Sequence, residues 1–152
     1  MSIQPQPLLL GKMSALPASP GEAILDCVPA PTCHEISYAV RLSVPEFTSL
    51  CPVTGAPDFA HIIVDYVPRE LLIESKAFKL FMGSFRNHGA YHEACTTMMF
   101  SMLFAAMRPR WLRVSAYWFP RGGIPIDVFV QSGNPPKKVH LPPIDIPIYR
   151  AR

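Results

Sequence analysis

The chain has 152 residues and a mass of 16.9 kDa, which fits one domain with a sizeable hydrophobic core. Hydrophobic residues make up 49% of it, charged residues only 16%, and the net charge is +3, so we expect other subunits to cover part of its apolar surface. We find no apolar run of the roughly 20 residues that span a membrane, no secretory signal and no regular cysteine spacing of a disulfide framework. These features predict a cytoplasmic protein that does not bind membranes.

The first 33 residues are rich in proline, serine and alanine and have no sustained periodicity. They predict an extended N-terminal arm, 1–33, that precedes a single folded domain, 34–152. Charge is also unevenly distributed, because residues 1–68 carry two basic and six acidic side chains whereas residues 69–152 carry twelve and five. The basic half could attract a phosphorylated cofactor or a nucleic acid, although attraction between the halves or between subunits explains the asymmetry equally well.

The positions of the prolines divide the remaining chain into elements. None of the 18 prolines lies between Pro68 and Pro109, and long helices are expected only in this gap because proline breaks helix interiors. Apolar periodicity predicts, in chain order, strand 36–42, strand 59–67, helix 76–85, helix 91–107, strand 111–119 and strand 126–131. This ββααββ order predicts an α+β fold in which two helices cover one face of an antiparallel sheet. The open edge strands favour closure by symmetric association.

Cys51 lies in a proline-bounded loop, and Asp58 follows at the start of the second predicted strand. Loops on a rigid scaffold often carry nucleophiles. A thiolate can add to an electrophilic carbon while a nearby carboxyl group supplies a proton. Taken alone, however, the two residues are better explained by a buried, unreactive cysteine and a loop-capping aspartate.

His88, His92 and Cys95 have spacings that one helix face could present to a metal ion. Gly89 is expected to break the helix between the histidines, and no Cys-x-x-Cys or His-Glu-x-x-His motif is present, so no metal site is predicted. Glu93 lies in the first turn of the second helix, where its charge interacts favourably with the helix dipole. Its carboxylate can also accept two parallel N–H donors from a guanine-like ring, with His92 beside it.

Lys76, Lys79 and Arg86 lie on or near the first predicted helix. A solvated helix face is the usual explanation for such residues. Two lysines three residues apart nevertheless share one face and could contact cofactor phosphates. The chain has neither a Gly-x-Gly-x-x-Gly fingerprint nor a Walker A loop, so neither a Rossmann site nor a P-loop is predicted.

Three sequence blocks together resemble the NADPH-dependent 7-cyano-7-deazaguanine reductases, the nitrile reductases of queuosine biosynthesis. Glu74-Ser75-Lys76-Ala77-Phe78-Lys79-Leu80-Phe81 matches the family hallmark Glu-(Ser/Leu)-Lys-(Ser/Ala)-hydrophobic-Lys-(Leu/Tyr)-aromatic at every position. Cys51-Pro52-Val53-Thr54-Gly55-Ala56-Pro57-Asp58-Phe59 matches the nucleophile block, except at Ala56, where a larger polar residue is common. Phe85-Arg86-Asn87-His88-Gly89 through His92-Glu93 completes the pattern. The resemblance covers about residues 35–132 and indicates the short, single-module branch.

The resemblance implies a tunnelling fold, in which subunits of a ring-shaped homo-oligomer close their sheets into a barrel and form active sites between neighbours. It implies reduction of 7-cyano-7-deazaguanine to 7-aminomethyl-7-deazaguanine by two NADPH, for tRNA queuosine modification. Neither a metal nor direct nucleic-acid binding is expected.

The resemblance also implies roles for individual residues. Cys51 would add to the nitrile carbon to form a covalent thioimide, and Asp58 would protonate the nitrile nitrogen. The substrate site would comprise Ile73, Glu74, Ser75, His92 and Glu93. The residues toward NADPH would be Lys76, Lys79 and Arg86.

Two other functions stay open. A metal-dependent hydrolase on the same fold, similar to GTP cyclohydrolases, would need a metal site that Cys51, His88, His92 and Cys95 supply only weakly. A non-catalytic ring-forming scaffold or tRNA-binding protein would leave Cys51 and Glu93 without a role. Metal content distinguishes the hydrolase, and the effect of Cys51→Ala distinguishes the scaffold.

Overall fold

The computed structural model describes residues 8–31 and 37–144, which form an α+β fold. In chain order its elements are β1 (Cys27–Pro29), β2 (Val40–Leu50), β3 (Pro57–Val67), β4 (Leu71–Ile73), α1 (Ser75–Ser84), α2 (His92–Met107), β5 (Trp111–Arg121) and β6 (Ile124–Gln131). The main sheet is antiparallel with strand order β2-β3-β5-β6. The predicted ββααββ order is therefore confirmed for this sheet and the two helices.

Both helices pack on one face of the main sheet, where the hydrophobic core lies. Every second side chain of β3, including Ile62 and Val64, is fully buried in this core. The helices contribute buried side chains from their inner faces, such as Phe81 of α1 and Leu103 of α2. Although α2 is apolar nearly all round, its outer side stays partly open, with Phe104 exposed.

β2 differs most from its prediction of 36–42. It begins at Val40 and continues past Pro45 to Leu50, and residue 36 lies outside the described residues. Pro45 lies in a bulge, where proline is tolerated because the ladder is locally interrupted. Pro120 lies in a second bulge, near the end of β5.

Each bulge inserts one extra residue into its strand. The partners of Val44 and Phe47 are only two residues apart in β3, and the partners of Trp118 and Arg121 only two apart in β6. Because side chains alternate between faces, one extra residue moves every later side chain to the opposite face. Arg121 is consequently directed to the same face as Trp118, the face that carries the helices.

Part of the predicted N-terminal arm pairs with the chain's own β4. β1 and β4 form a two-stranded antiparallel sheet. Backbone bonds extend this pairing at both ends, from Ala30 N–H to Glu70 O at 2.8 Å and from Glu74 N–H to Asp26 O at 2.9 Å. The predicted division at residue 33 stays a prediction, and residue 33 itself lies outside the described residues.

The sheet face opposite the helices carries a buried aspartate, Asp65, between two arginines. Arg41 donates to it at 2.6 and 3.0 Å, and Arg113 at 2.7 and 3.2 Å. Both guanidinium groups also donate to the carbonyl of Pro142, so the cluster holds the C-terminal segment against this face. Within the described residues, no helix has the length and apolarity needed to cross a bilayer.

Candidate active site

Four chain segments meet at one end of the main sheet, which we call the site end. They are the end of β2, the start of β3, the start of α2 and the end of β5. Leu50 links the first of these to the segment before α2, since its N–H donates to His88 O at 3.0 Å and its carbonyl accepts from Ala90 N–H at 3.1 Å. The antiparallel order therefore brings Cys51 and the start of α2 together, although 40 residues separate them in sequence.

Cys51 lies in a tight loop directly after β2. Its N–H donates to Ala56 O at 2.8 Å, and its carbonyl accepts from Gly55 N–H at 3.0 Å. Gly55 has φ +69, a left-handed conformation that a glycine adopts without strain. Hydrogen bonds from the Thr54 hydroxyl and from the Thr54 and Val53 N–H groups lower the pKa of the Cys51 thiol to about 7. The loop therefore favours a thiolate, the nucleophilic form of cysteine, near neutral pH.

Asp58 is the second residue of β3, and its side chain points to the helix face; the residue is 3% exposed. Nη1 of Arg121 donates to both of its carboxylate oxygens, at 2.9 and 3.0 Å. The Arg121 guanidinium also helps to lower the pKa of the Cys51 thiol, by less than Thr54 does. One cation thus links the predicted nucleophile and the predicted acid.

His92, the first residue of α2, is buried behind Asp58. Its Nε2 lies 3.4 Å from Asp58 Oδ2, an ion-pair distance without hydrogen-bond geometry. Its ring stacks on Trp118, with centroids 4.0 Å apart and planes 6° apart, and the Trp118 indole N–H donates to Thr96 Oγ1 at 3.3 Å. Burial lowers the pKa of His92, and the Asp58 charge opposes that shift. The stacking fixes the ring plane beside the carboxylate.

Glu93 follows His92 in the first turn of α2 and is exposed to solvent. Its carboxylate makes no hydrogen bond to any residue that the structure describes. An exposed carboxylate next to His92 can accept N–H donors from a ligand.

The predicted substrate residues Ile73, Glu74 and Ser75 lie at the other end of the domain. They precede α1, whose ten residues extend about 15 Å toward the site end. Glu74 caps this helix, because its carboxylate accepts from the N–H groups of Lys76 at 3.0 Å and Ala77 at 2.8 Å. Burial of Glu74 opposes ionisation, but these bonds outweigh it and lower its pKa. A single chain does not bring these residues to Cys51.

Of the three cations predicted to face NADPH, Lys76 and Lys79 lie on α1, and Arg86 follows just after its end. Lys76 Nζ donates to the carbonyl of Leu9 in the arm at 2.9 Å. Lys79 and Arg86 are exposed and line a cavity of about 520 Å³ between α1 and β2, which Glu46 also lines. Two exposed cations at a cavity of this size suit an anionic ligand such as a dinucleotide, whereas Lys76 is engaged by the chain itself.

The donors considered for a metal ion do not form a binding group. Within residues 8–31 and 37–144, no three side chains of histidine, cysteine, aspartate or glutamate have an arrangement that could hold a metal. Cys95 instead lies on the inner face of α2, in the core, where burial raises its pKa to about 11. This arrangement gives the hydrolase alternative no ligand set within the described residues.

Sequence reasoning missed three residues that shape the site. Thr54 sets the thiol environment, Trp118 orients His92, and Arg121 pairs with Asp58. The predicted strand ended at residue 119, whereas β5 continues through a bulge at Pro120 to Arg121, and a bulge re-aims the next side chain.

Comparison with known proteins identifies the family. The profile of a family described as "QueF-like protein" matches residues 57–137. The chain is 58% identical over 143 residues to the NADPH-dependent 7-cyano-7-deazaguanine reductase of Zymomonas mobilis subsp. mobilis, covering 94% of this chain and 97% of that protein. It is 56% identical over 146 residues to the protein of the same name from Nitrobacter winogradskyi, covering 96% and 92%. The chain belongs to the 7-cyano-7-deazaguanine reductase family.

A solved structure of the reductase family's wider fold agrees with this assignment. The archaeosine synthase QueF-Like, in its apo form, superposes with a TM-score of 0.59 at 26% sequence identity, covering 64% of this chain and 96% of that one. Family membership confirms the resemblance drawn from the three sequence blocks, and NADPH appears in the names of the reductase relatives.

Proposed function

We propose that this protein reduces the nitrile of 7-cyano-7-deazaguanine to the aminomethyl group with NADPH, through a thioimide on Cys51. Family membership supports the overall reaction. The observation that carries the chemical route is the low-pKa thiol of Cys51, which shares the Arg121 cation with buried Asp58. A nitrile is a poor hydride acceptor, and addition of a thiolate turns it into a polarised C=N group, which divides one hard step into easier ones.

The residues at the site end have distinct roles in this route. Cys51 Sγ bonds to the nitrile carbon, and Asp58 delivers a proton to the nitrile nitrogen. Glu93 accepts N–H donors of the deazaguanine ring, with His92 beside it. The stack of His92 on Trp118 limits the rotation of the histidine ring, so the Asp58 carboxylate has a fixed neighbour.

NADPH supplies two hydrides, one to each of two successive C=N groups. Lys79 and Arg86 are the best placed to hold its phosphates, since both are exposed at the same cavity. Lys76 has a weaker case as a phosphate ligand, because it already donates to Leu9 O.

A second copy of the chain is needed to complete the site. Ile73, Glu74 and Ser75 lie a helix length away from Cys51, and within residues 8–31 and 37–144 no strand pairs with the outer edge of β2 or of β6. Pairing of these edges between copies in a ring would bring the start of one α1 to the Cys51 of its neighbour. We therefore propose a homo-oligomer with active sites between subunits, and a cytoplasmic location.

Intact-protein mass spectrometry after mixing with 7-cyano-7-deazaguanine, without NADPH, tests the proposal. We expect an adduct equal to the mass of the nitrile, mapped to Cys51 and lost when NADPH is added. Cys51→Ala should give no adduct, whereas the matched variant Cys27→Ala should give it in full. Absence of an adduct on the native protein would contradict the route, and bound metal in the same sample would favour the hydrolase.

A further inference from the structure

Arg121 bonds to Asp58 and also helps to lower the pKa of the Cys51 thiol, yet it belongs to none of the three sequence blocks. Its side chain is 47% exposed, yet it makes two bonds to a carboxylate that is almost completely buried. The desolvation free energy of an arginine at such a half-exposed position is small, and its positive charge compensates the negative charge of the buried carboxylate. This placement depends on the Pro120 bulge, which turns Arg121 to the helix face.

We propose that Arg121 is a positioning residue that fixes the orientation of the Asp58 carboxyl group at the site end and so prepares the transfer of one proton from the Cys51 thiol to the nitrile. This inference rests on the proposed function. Arg121 itself exchanges no proton and contacts no reacting carbon; it acts through Asp58.

The balance of the addition step explains why such a residue is needed. The proton of Cys51 Sγ moves to the Asp58 carboxylate, and the sulfur electron pair forms the bond to the nitrile carbon. One π bond of the nitrile breaks, its electron pair moves to nitrogen, and nitrogen takes the proton from Asp58. No electron leaves the site, and Asp58 returns to the carboxylate that pairs with Arg121.

The geometry of the ion pair makes a specific prediction about substitutions. A single nitrogen, Nη1, makes both bonds to Asp58. A lysine ammonium is a point charge that can replace one such nitrogen, whereas the neutral amide of glutamine cannot replace the charge. Arg121→Lys should therefore form the adduct within about three-fold of the native rate, and Arg121→Gln should lose about ten-fold or more.

The experiment measures adduct formation by stopped mixing and intact mass, over a range of nitrile concentrations and without NADPH. If Arg121 positions Asp58, Arg121→Gln should lower the rate of adduct formation at saturating nitrile. The nitrile concentration that gives half of this rate should stay nearly unchanged. Added guanidinium ion should restore part of the rate to Arg121→Ala. In the Asp58→Asn background, Arg121→Gln should cause little further loss, because the two residues act on one step. Arg110→Gln, an exposed arginine at the far end of β5, is the matched control.

Three results would overturn the inference. The first is that Arg121→Gln leaves the rate at saturating nitrile unchanged, and the second is that it only raises the nitrile concentration needed for half of that rate. The third is that the rate losses of Arg121→Gln and Asp58→Asn add fully in the double variant. Failure of the proposed function would look different, since the native protein itself would then form no adduct. If Arg121→Gln does not fold, Arg121→Lys and the rescue of Arg121→Ala by guanidinium ion still test the inference, because each keeps a cation beside Asp58.

Discussion

Two buried aspartates on the same strand have opposite surroundings. Asp58 and Asp65 both lie in β3, seven residues apart and on opposite faces of the sheet. Asp65 is 1% exposed and receives four bonds from two arginines, whose side chains are themselves only 27% and 9% exposed. Asp58 receives its bonds from one nitrogen of the half-exposed Arg121, and His92 approaches without bonding.

The difference teaches how one residue type can serve two purposes on one strand. At Asp65 every part of the carboxylate is satisfied by the protein, so the cluster joins three strands and the C-terminal segment. At Asp58 a single exposed cation compensates the charge, and the carboxylate can change partner when a ligand arrives. A closed ion cluster suits stability, whereas an open one suits proton transfer.

The largest effect that separates the two aspartates is expected at Asp65. Asp65→Asn leaves two arginines without their counter-charge and should lower the free energy of unfolding by about 3 kcal/mol. Urea unfolding followed by circular dichroism measures this, with the exposed Glu70→Gln as control. A loss below about 1 kcal/mol would mean that the cluster contributes no more than a surface ion pair.

Asp58→Asn should show the opposite behaviour. Its amide cannot pass a proton to the nitrile nitrogen, so the rate of adduct formation should fall by about 100-fold or more. Urea unfolding should shift much less than for Asp65→Asn, because the half-exposed Arg121 can turn to solvent. If the two variants lose equal stability and Asp58→Asn keeps its rate, the contrast between the two carboxylates is wrong.

The pH dependence of Cys51 alkylation tests whether the loop lowers the pKa of the thiol. Only the thiolate reacts with iodoacetamide, so the rate rises with pH and levels off above the thiol pKa. We expect the half-maximal rate near pH 7, compared with about 9.0 for an ordinary thiol. Thr54→Val removes the main cause of this shift and should move the midpoint upward. Cys51→Ala reports the background from the other thiols, and a native midpoint near 9 would contradict the loop geometry.

Glu74 extends the comparison to a third buried carboxylate, whose partners are backbone N–H groups. Glu74→Ala removes the cap of α1 and should lower the free energy of unfolding by about 1 kcal/mol. Glu74→Asp, which keeps a carboxylate, is the control for the role of charge. Loss of substrate binding in an oligomer of unchanged stability would show that the residue serves the ligand and not the helix.

The fold was largely predictable because its signals are periodic and local. Alternating apolar residues indicated the strands, and the long interval without proline indicated the helices. Cys51, Asp58 and His92 were predicted as a group from the family motifs, and the antiparallel order of β2, β3 and α2 explains why they meet.

The features that were missed depend on register or on distant partners. The bulges at Pro45 and Pro120 change which face later residues occupy, and an alternation pattern read from a single strand cannot show this. Pairing of β1 with β4 joins two three-residue segments that are too short to give a periodic signal. The capping role of Glu74 was hidden because the same residue begins the family hallmark.

The bridge between Leu50 and the segment 88–90 consists of main-chain bonds only. Substitutions that preserve the backbone path can therefore change side chains on both segments while the spacing of Cys51 from Glu93 is retained. The same bonds should make the amides of Leu50 and Ala90 exchange with deuterium at matching rates, since opening one strand of the bridge frees both. The loop that carries Cys51 and the start of α2 are thus held together through the backbone.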